Sequence, residues 1–151
     1  MKKLFFLFAL LLSVLAVACQ NQEKIQEEDK LEMIAQNAVY QAYLKAEREI
    51  QLNINQRSFD LKAIHKIWRK NPTAYICDFA DSELVNLKGG LLYKKLHCEA
   101  QQQAEKLKIE IPSYLNLTPD DVVKVCKIHD EIFDINWEKE LEEARSNHPK
   151  N

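Results

Sequence analysis

The sequence predicts an all-α protein, a small bundle of about four helices. Three observations lead there. The 151 residues include only two glycines, adjacent at Gly89 and Gly90, where average usage would supply about ten. A P-loop, a dinucleotide fingerprint, a β-propeller or a barrel of tight hairpins therefore lacks the glycines it needs. Apolar residues recur at steps of three and four over long stretches, which is helical spacing. Between those stretches lie helix starts and stops of recognisable chemistry, of which Thr118-Pro119-Asp120-Asp121 is the clearest. With 46% hydrophobic and 29% charged residues, the composition is that of one ordinary compact domain.

In order along the chain, residues 1–18 read as a signal peptide, 19–30 as a lipidated cysteine and polar tether, and 31–151 as a single helical domain. The first helix is expected from about Glu28 to Gln51, because Leu31, Ile34, Ala35, Ala38, Ala42, Ala46 and Ile50 form one apolar stripe. Ser58 is the expected N-cap of a second helix carrying Leu61, Ile64, Ile67 and Trp68, which Asn71-Pro72 ends. Asp81 or Ser82 would cap a third helix. Gly89-Gly90 should interrupt it, since each glycine costs about 1 kcal/mol in a helix interior, and it should resume from Leu91 through Leu107. The last helix starts at Thr118, with Pro119 in the first turn and Asp120 and Asp121 facing the positive end of the dipole. Val122, Val125, Cys126, His129, Ile132, Phe133, Trp137 and Leu141 would share its buried side.

The N-terminus carries the most specific signal. Lys2 and Lys3 precede an apolar run from Leu4 to Ala18 broken only by Ser13. That run is shorter than the ~20 residues a spanning helix requires, and fits a cleaved signal peptide. Ala18-Cys19 following Leu15 resembles a bacterial lipobox, although Ala16-Val17-Ala18 also suits ordinary signal peptidase. The lipobox resemblance implies that Cys19 is acylated, palmitate-type chains holding the protein on a membrane at about 0.8 kcal/mol per buried CH₂. Gln20 is similar to an outer-membrane sorting signal, so the expected location is the bacterial envelope, facing the periplasm or the cell surface. Of the remaining cysteines, Cys77 is paired with Cys98, as the oxidising envelope allows. Cys126 then reads as a small buried apolar residue.

Removing residues 1–18 leaves 19 basic against 23 acidic side chains, a net charge of −4. Nucleic acid is therefore not an expected partner. The run Asp130 to Glu143 holds seven carboxylates against Lys139. It is either a solvated helix face or a surface that speeds encounter with a basic protein; Glu138, Glu142 and Glu143 are the contact candidates.

Catalytic and metal patterns are weak. Cys126-x-x-His129-Asp130, followed by Phe133 and Asn136-Trp137, resembles the catalytic helix of secreted phospholipases A2, which implies a calcium-dependent hydrolase. That chemistry needs a loop of backbone carbonyls before the helix, and Tyr114 to Asp121 contains no glycine to form one. His65, His97 and His148 are isolated, and Cys126 with His129 supplies only two ligands of a zinc site. No serine sits in a Gly-x-Ser-x-Gly elbow. No catalytic residue, metal or cofactor is expected.

A broader resemblance spans Gln36 to Leu107, about 70 residues. Asn37-x-x-Tyr40, a basic helix ending in Trp68, then Cys77, Gly89-Gly90 and Cys98 stand in an order similar to that of the exported LprI-type lysozyme-inhibitor family, also described as a domain of unknown function. The sequence departs from the family pattern at Gln36, at the residues before Trp68 and at Pro72. The resemblance implies a helical fold in which Asn37, Tyr40, Trp68, Gly89, Gly90 and a Cys77–Cys98 bridge are structural. It also implies a non-enzymatic envelope lipoprotein with a protein partner such as a basic lysozyme. A pilotin-like assembly lipoprotein gripping a partner helix is the alternative.

Overall fold

The computed structural model describes residues 26–147. The expectations for residues 1–18 and for the lipidation of Cys19 lie outside that range. Within it the chain forms seven α-helices and no strand. They are α1 (26–36), α2 (Ala38–Asn55), α3 (Leu61–Trp68), α4 (Asp81–Leu84), α5 (Gly90–Glu110), α6 (Pro119–Ile132) and α7 (Trp137–Ser146), with short 3-10 turns at Ile76–Asp78 and Pro112–Asn116. None is long and apolar enough to cross a membrane. The first helix, α1, begins at residue 26, two residues before the expected start at Glu28 and inside the stretch read as tether.

The long antiparallel pair α2 and α5 forms the spine, and a core lies at each end of it. One joins Leu31, Ile34 and Ala35 of α1 to Tyr40, Leu44, Leu107, Ile111 and Val125. The other joins Ile50 to Phe59, Ile64, Tyr93, Leu96 and Ala100.

The expected count of about four helices becomes seven because the anticipated break at the glycines separates α4 from α5 and two further long stretches break. The first breaks at Asn37, whose backbone is extended and whose Oδ1 accepts from the Val39 N–H at 2.8 Å. An asparagine satisfies a helix N-terminus in this way. The bend lets α1 fold onto the same core as α2; a continuous rod would carry Leu31 and Ile34 past it. The second break follows Ile132. Asp134 adopts a left-handed conformation (φ 51°), and Asn136 caps α7 by accepting from the Lys139 N–H at 3.0 Å. Trp137 and Leu141 therefore do not share a helix with Val122 and Val125.

Local chemistry holds elsewhere. Thr118 caps α6 reciprocally: its Oγ1 accepts from the Asp121 N–H at 3.2 Å while its own N–H donates to the Asp121 carboxylate at 3.3 Å, the capping-box arrangement. The cap of α3 is Asp60 instead of Ser58, its Oδ1 accepting from the Ala63 N–H at 3.0 Å. Ser58 and Phe59 are committed elsewhere: the Ser58 N–H donates to the Asn53 carbonyl at 2.9 Å and Phe59 packs on Tyr93 with centroids 5.1 Å apart. The break at the glycines is present. Gly89 is left-handed (φ 66°), and a Cβ there would strike the Ser58 carbonyl and the Phe59 ring, while one at Gly90 would strike the Leu84 carbonyl. Cys77 and Cys98 form the disulfide, Cα atoms 5.4 Å apart, tying the first 3-10 turn to the middle of α5.

Candidate functional site

The acidic run divides between the end of α6 and α7, and its members meet different fates. Asp130 points inward. Its Oδ2 accepts from Arg48 Nη2 of α2 at 2.6 Å, with the two side chains 12% and 21% exposed. Its other oxygen lies 3.1 Å from His129 Nδ1. The Arg48 guanidinium also stands 4.8 Å from the centre of the Trp137 ring, within cation–π range. One arginine thus joins the end of α6 and the start of α7 to the spine.

Trp137 and Leu141 are half-buried and Ala144 is buried. These positions, four and three apart, are the inward stripe of α7. Arg145 Nε donates to Asn55 Oδ1 at 2.8 Å and fixes the far end. Glu138, Glu140, Glu142 and Glu143 are consequently all exposed. Of the three contact candidates, Glu143 lies 3.7 Å from Lys139 one turn earlier, an exposed pair of small energetic consequence. Glu138 and Glu142 make no ion pair among the described residues. Glu131 and Asp134, both exposed, extend the acidic surface back towards α6.

Two clefts flank the Arg48–Trp137 contact. One, of about 650 Å³, lies between α2, α6 and α7, with Leu44, Val123, Cys126, Trp137 and Glu138 in its walls. The other, of about 520 Å³, lies on the far side against Leu52, His129 and Phe133.

Cys126 and His129 have internal partners. The Cys126 thiol, half-buried and outside any disulfide, lies 3.2 Å from the Tyr40 hydroxyl. Burial first, and then the bond to Cys126, pushes the ionisation of Tyr40 well above the usual phenol range. His129 is 6% exposed and packs edge-on to Tyr40 and against Phe133, centroids 6.2 and 4.9 Å away. Among the described residues no three His, Cys, Asp or Glu side chains are placed to share a metal ion.

The remaining signature residues are spread through the fold. Asn37 is a cap, Tyr40 a core residue, Gly89 and Gly90 the α4–α5 turn, and Trp68 a 45% exposed ring whose indole N–H donates to the Ala74 carbonyl at 3.0 Å. Sequence reasoning passed over Arg48. Its position four residues after Leu44, on the buried stripe of α2, was the signal that could have marked it as an inward-facing charge seeking a carboxylate. The sequence matches no family model, and no curated protein or solved structure is significantly similar to it.

Proposed function

We propose that this chain is a non-enzymatic lipoprotein of the bacterial envelope whose helical domain binds another protein through the acidic surface of α7. The observation that carries this reading is the posture of α7. Its apolar stripe and Trp137 are pinned to the spine by Arg48 and Asn55, so Glu138, Glu140, Glu142 and Glu143 face solvent from a fixed platform. A preformed surface of one sign attracts a basic protein and raises its association rate. Lysozyme is the named candidate, from the resemblance of the Asn37 to Cys98 segment to the LprI-type inhibitors, and the lipobox-like Ala18-Cys19 supplies the anchor.

The test is lysozyme activity with excess purified protein, together with binding of the variant in which Glu138, Glu142 and Glu143 become Lys. Inhibition that weakens with salt and is lost in the variant supports the reading. Undiminished lysozyme activity removes that target, and undiminished binding by the variant removes that surface. Mass spectrometry of the membrane fraction tests the anchor, since an unmodified Cys19 removes it.

One observation favours the pilotin-like alternative: the paired clefts beside Trp137 have exposed apolar margins at Val123 and Phe133, 53% and 44% exposed. A partner helix seated there would need Val123 and Phe133 and not the glutamates, so Val123→Ser and Phe133→Ser separate the two readings.

A further inference from the structure

A third cleft, of about 500 Å³, lies between α2, α3 and α5 and shares Glu47 with the cleft between α2, α6 and α7. Pockets of this size commonly enclose small ligands. Its walls are largely rings: Tyr43 of α2, Trp68 of α3, Tyr75 of the following loop, and Tyr93 and His97 of α5. Trp68 and Tyr75 are 45% and 65% exposed, apolar area that folding leaves uncovered. The walls are also held in place. The indole of Trp68 is fastened to the Ala74 carbonyl, His97 stacks on Tyr93 with centroids 4.2 Å apart, and the disulfide ties the loop carrying Tyr75 to α5.

The charges in this cleft are unusual for so charged a protein. No lysine or arginine lines it, and Glu47 is its one acidic residue. Glu47 is half-buried and forms no ion pair among the described residues. Burial lifts its ionisation above the ordinary carboxylate value. Burial, and secondarily His65, pushes His97 below the usual imidazole value. Its Nε2 is the one buried side-chain nitrogen or oxygen without a hydrogen-bond partner among the described residues.

We propose that this cleft binds a small organic ammonium ion, with its charge against the Glu47 carboxylate and its alkyl groups among the rings of Trp68, Tyr75 and Tyr93. Aromatic rings carry negative faces that attract cations, and cages of such rings recognise quaternary ammonium groups. An unpaired, partly desolvated carboxylate adds an attraction of the same sign. An anion would be repelled by Glu47, and a neutral molecule would leave it unpaired.

The experiment titrates the full-length protein with choline and with butylamine, each against its uncharged counterpart, dimethylbutanol and butanol. It is read by calorimetry and by the NMR shifts of the Trp68 indole and neighbouring amides. The expected result is saturable binding of a cation, with shifts confined to the cleft and affinity at least about tenfold above that of the uncharged counterpart. Glu47→Gln should reduce that preference severalfold, and Tyr75→Ala, at an exposed position, should weaken cation binding without disturbing the fold. Equal affinity for charged and uncharged probes, no saturable binding, or shifts mapping to the glutamates of α7 would overturn the proposal. If Glu47→Gln does not fold, the comparison of probes on the native chain and on Tyr75→Ala decides the matter.

Discussion

Arg48 and Asp130, 82 positions apart, meet at 2.6 Å across the junction of α2 and α6, and the same guanidinium lies against Trp137 at the start of α7. This pair sets which part of the acidic run is surface. It withdraws Asp130 into the structure and holds the following helix so that its glutamates face outward.

Removing one member of a largely buried pair leaves the other charge uncompensated, which is costlier than losing an exposed salt bridge. Arg48→Ala and Asp130→Asn should each destabilise the protein by about 2–3 kcal/mol, less than for a fully buried pair because both groups keep some solvent. A double-mutant cycle by urea unfolding should give a coupling of about 1 kcal/mol or more. Additive losses would show that the two side chains act independently.

Gly89→Ala should cost about 2 kcal/mol or more, because left-handed backbone penalises a Cβ and this Cβ would also strike the Ser58 carbonyl and Phe59. Thermal unfolding checks this, with Gly90→Ala as a companion whose Cβ meets only the Leu84 backbone and side chain. An unchanged midpoint for Gly89→Ala would contradict the turn geometry.

The Cys77–Cys98 bridge closes a loop of sequence separation 21, which the chain-entropy account values at about 3 kcal/mol. Cys77→Ser with Cys98→Ser should lower stability by that order, and the same loss should follow addition of a reductant to the native chain. Cys126→Ser should leave the reductant effect intact.

The cap of α6 predicts an acid titration. Asp121, hydrogen-bonded by Thr118 and by Lys124, has its carboxyl held down at about 2, against an ordinary 3.8. A depressed carboxylate contributes stability that is present above its unfolded value and is lost as pH falls through the folded one. Fraying of the first turn of α6 is therefore expected between pH 3.8 and about 2. NMR titration of the Asp121 carboxyl should give that low midpoint, and Thr118→Ala should raise it.

Glu47 works in the opposite direction. Its ionisation is lifted above 4.5 by burial, so its stabilising contribution is full below that pH and is lost as pH rises through the folded value. At neutral pH the charged side chain is a burden, and Glu47→Gln should raise the melting temperature slightly, by about 1–2 °C for a chain of this size. The advantage should vanish on acidification below pH 4.5. A lower melting temperature for the variant at pH 7 would mean that the carboxylate has a partner in the fold.

Much of this architecture was legible in the residues. The glycine scarcity, the Thr118 cap and the break at Gly89-Gly90 follow from signals within a few residues, and the Cys77–Cys98 bridge is one of three pairings that Cys77, Cys98 and Cys126 allow. On α2 the expected stripe is buried only at Ile50: Ala38 is exposed, and Tyr40 and Leu44 are the other buried residues. The misreadings were also local in origin. Asn37 interrupts an apolar stripe that keeps helical spacing on both sides of it, so periodicity alone joined α1 to α2. Asp134 and Asn136 split α6 from α7 without a glycine or proline to mark the place. Ser58 is as good a cap in isolation as Asp60, but its N–H is tied back to the Asn53 carbonyl at the end of α2, and Asp60 takes the Ala63 N–H. The acidic candidates Glu138, Glu142 and Glu143, identified by charge, all face water, while Asp130 of the same run is taken inward by Arg48.

The sequence by itself determined the helical class, the Thr118 start of α6 and the glycine break before α5, because capping, glycine conformation and apolar spacing are short-range physics written into neighbouring residues. The tertiary structure alone decided that Arg48 takes Asp130 inward, that α7 stands as a separate acidic helix, and that Glu47 is left unpaired beneath the rings of α2, α3 and α5. Those outcomes depend on which charges and rings are brought together across tens of residues, and on how much water the packing leaves beside them.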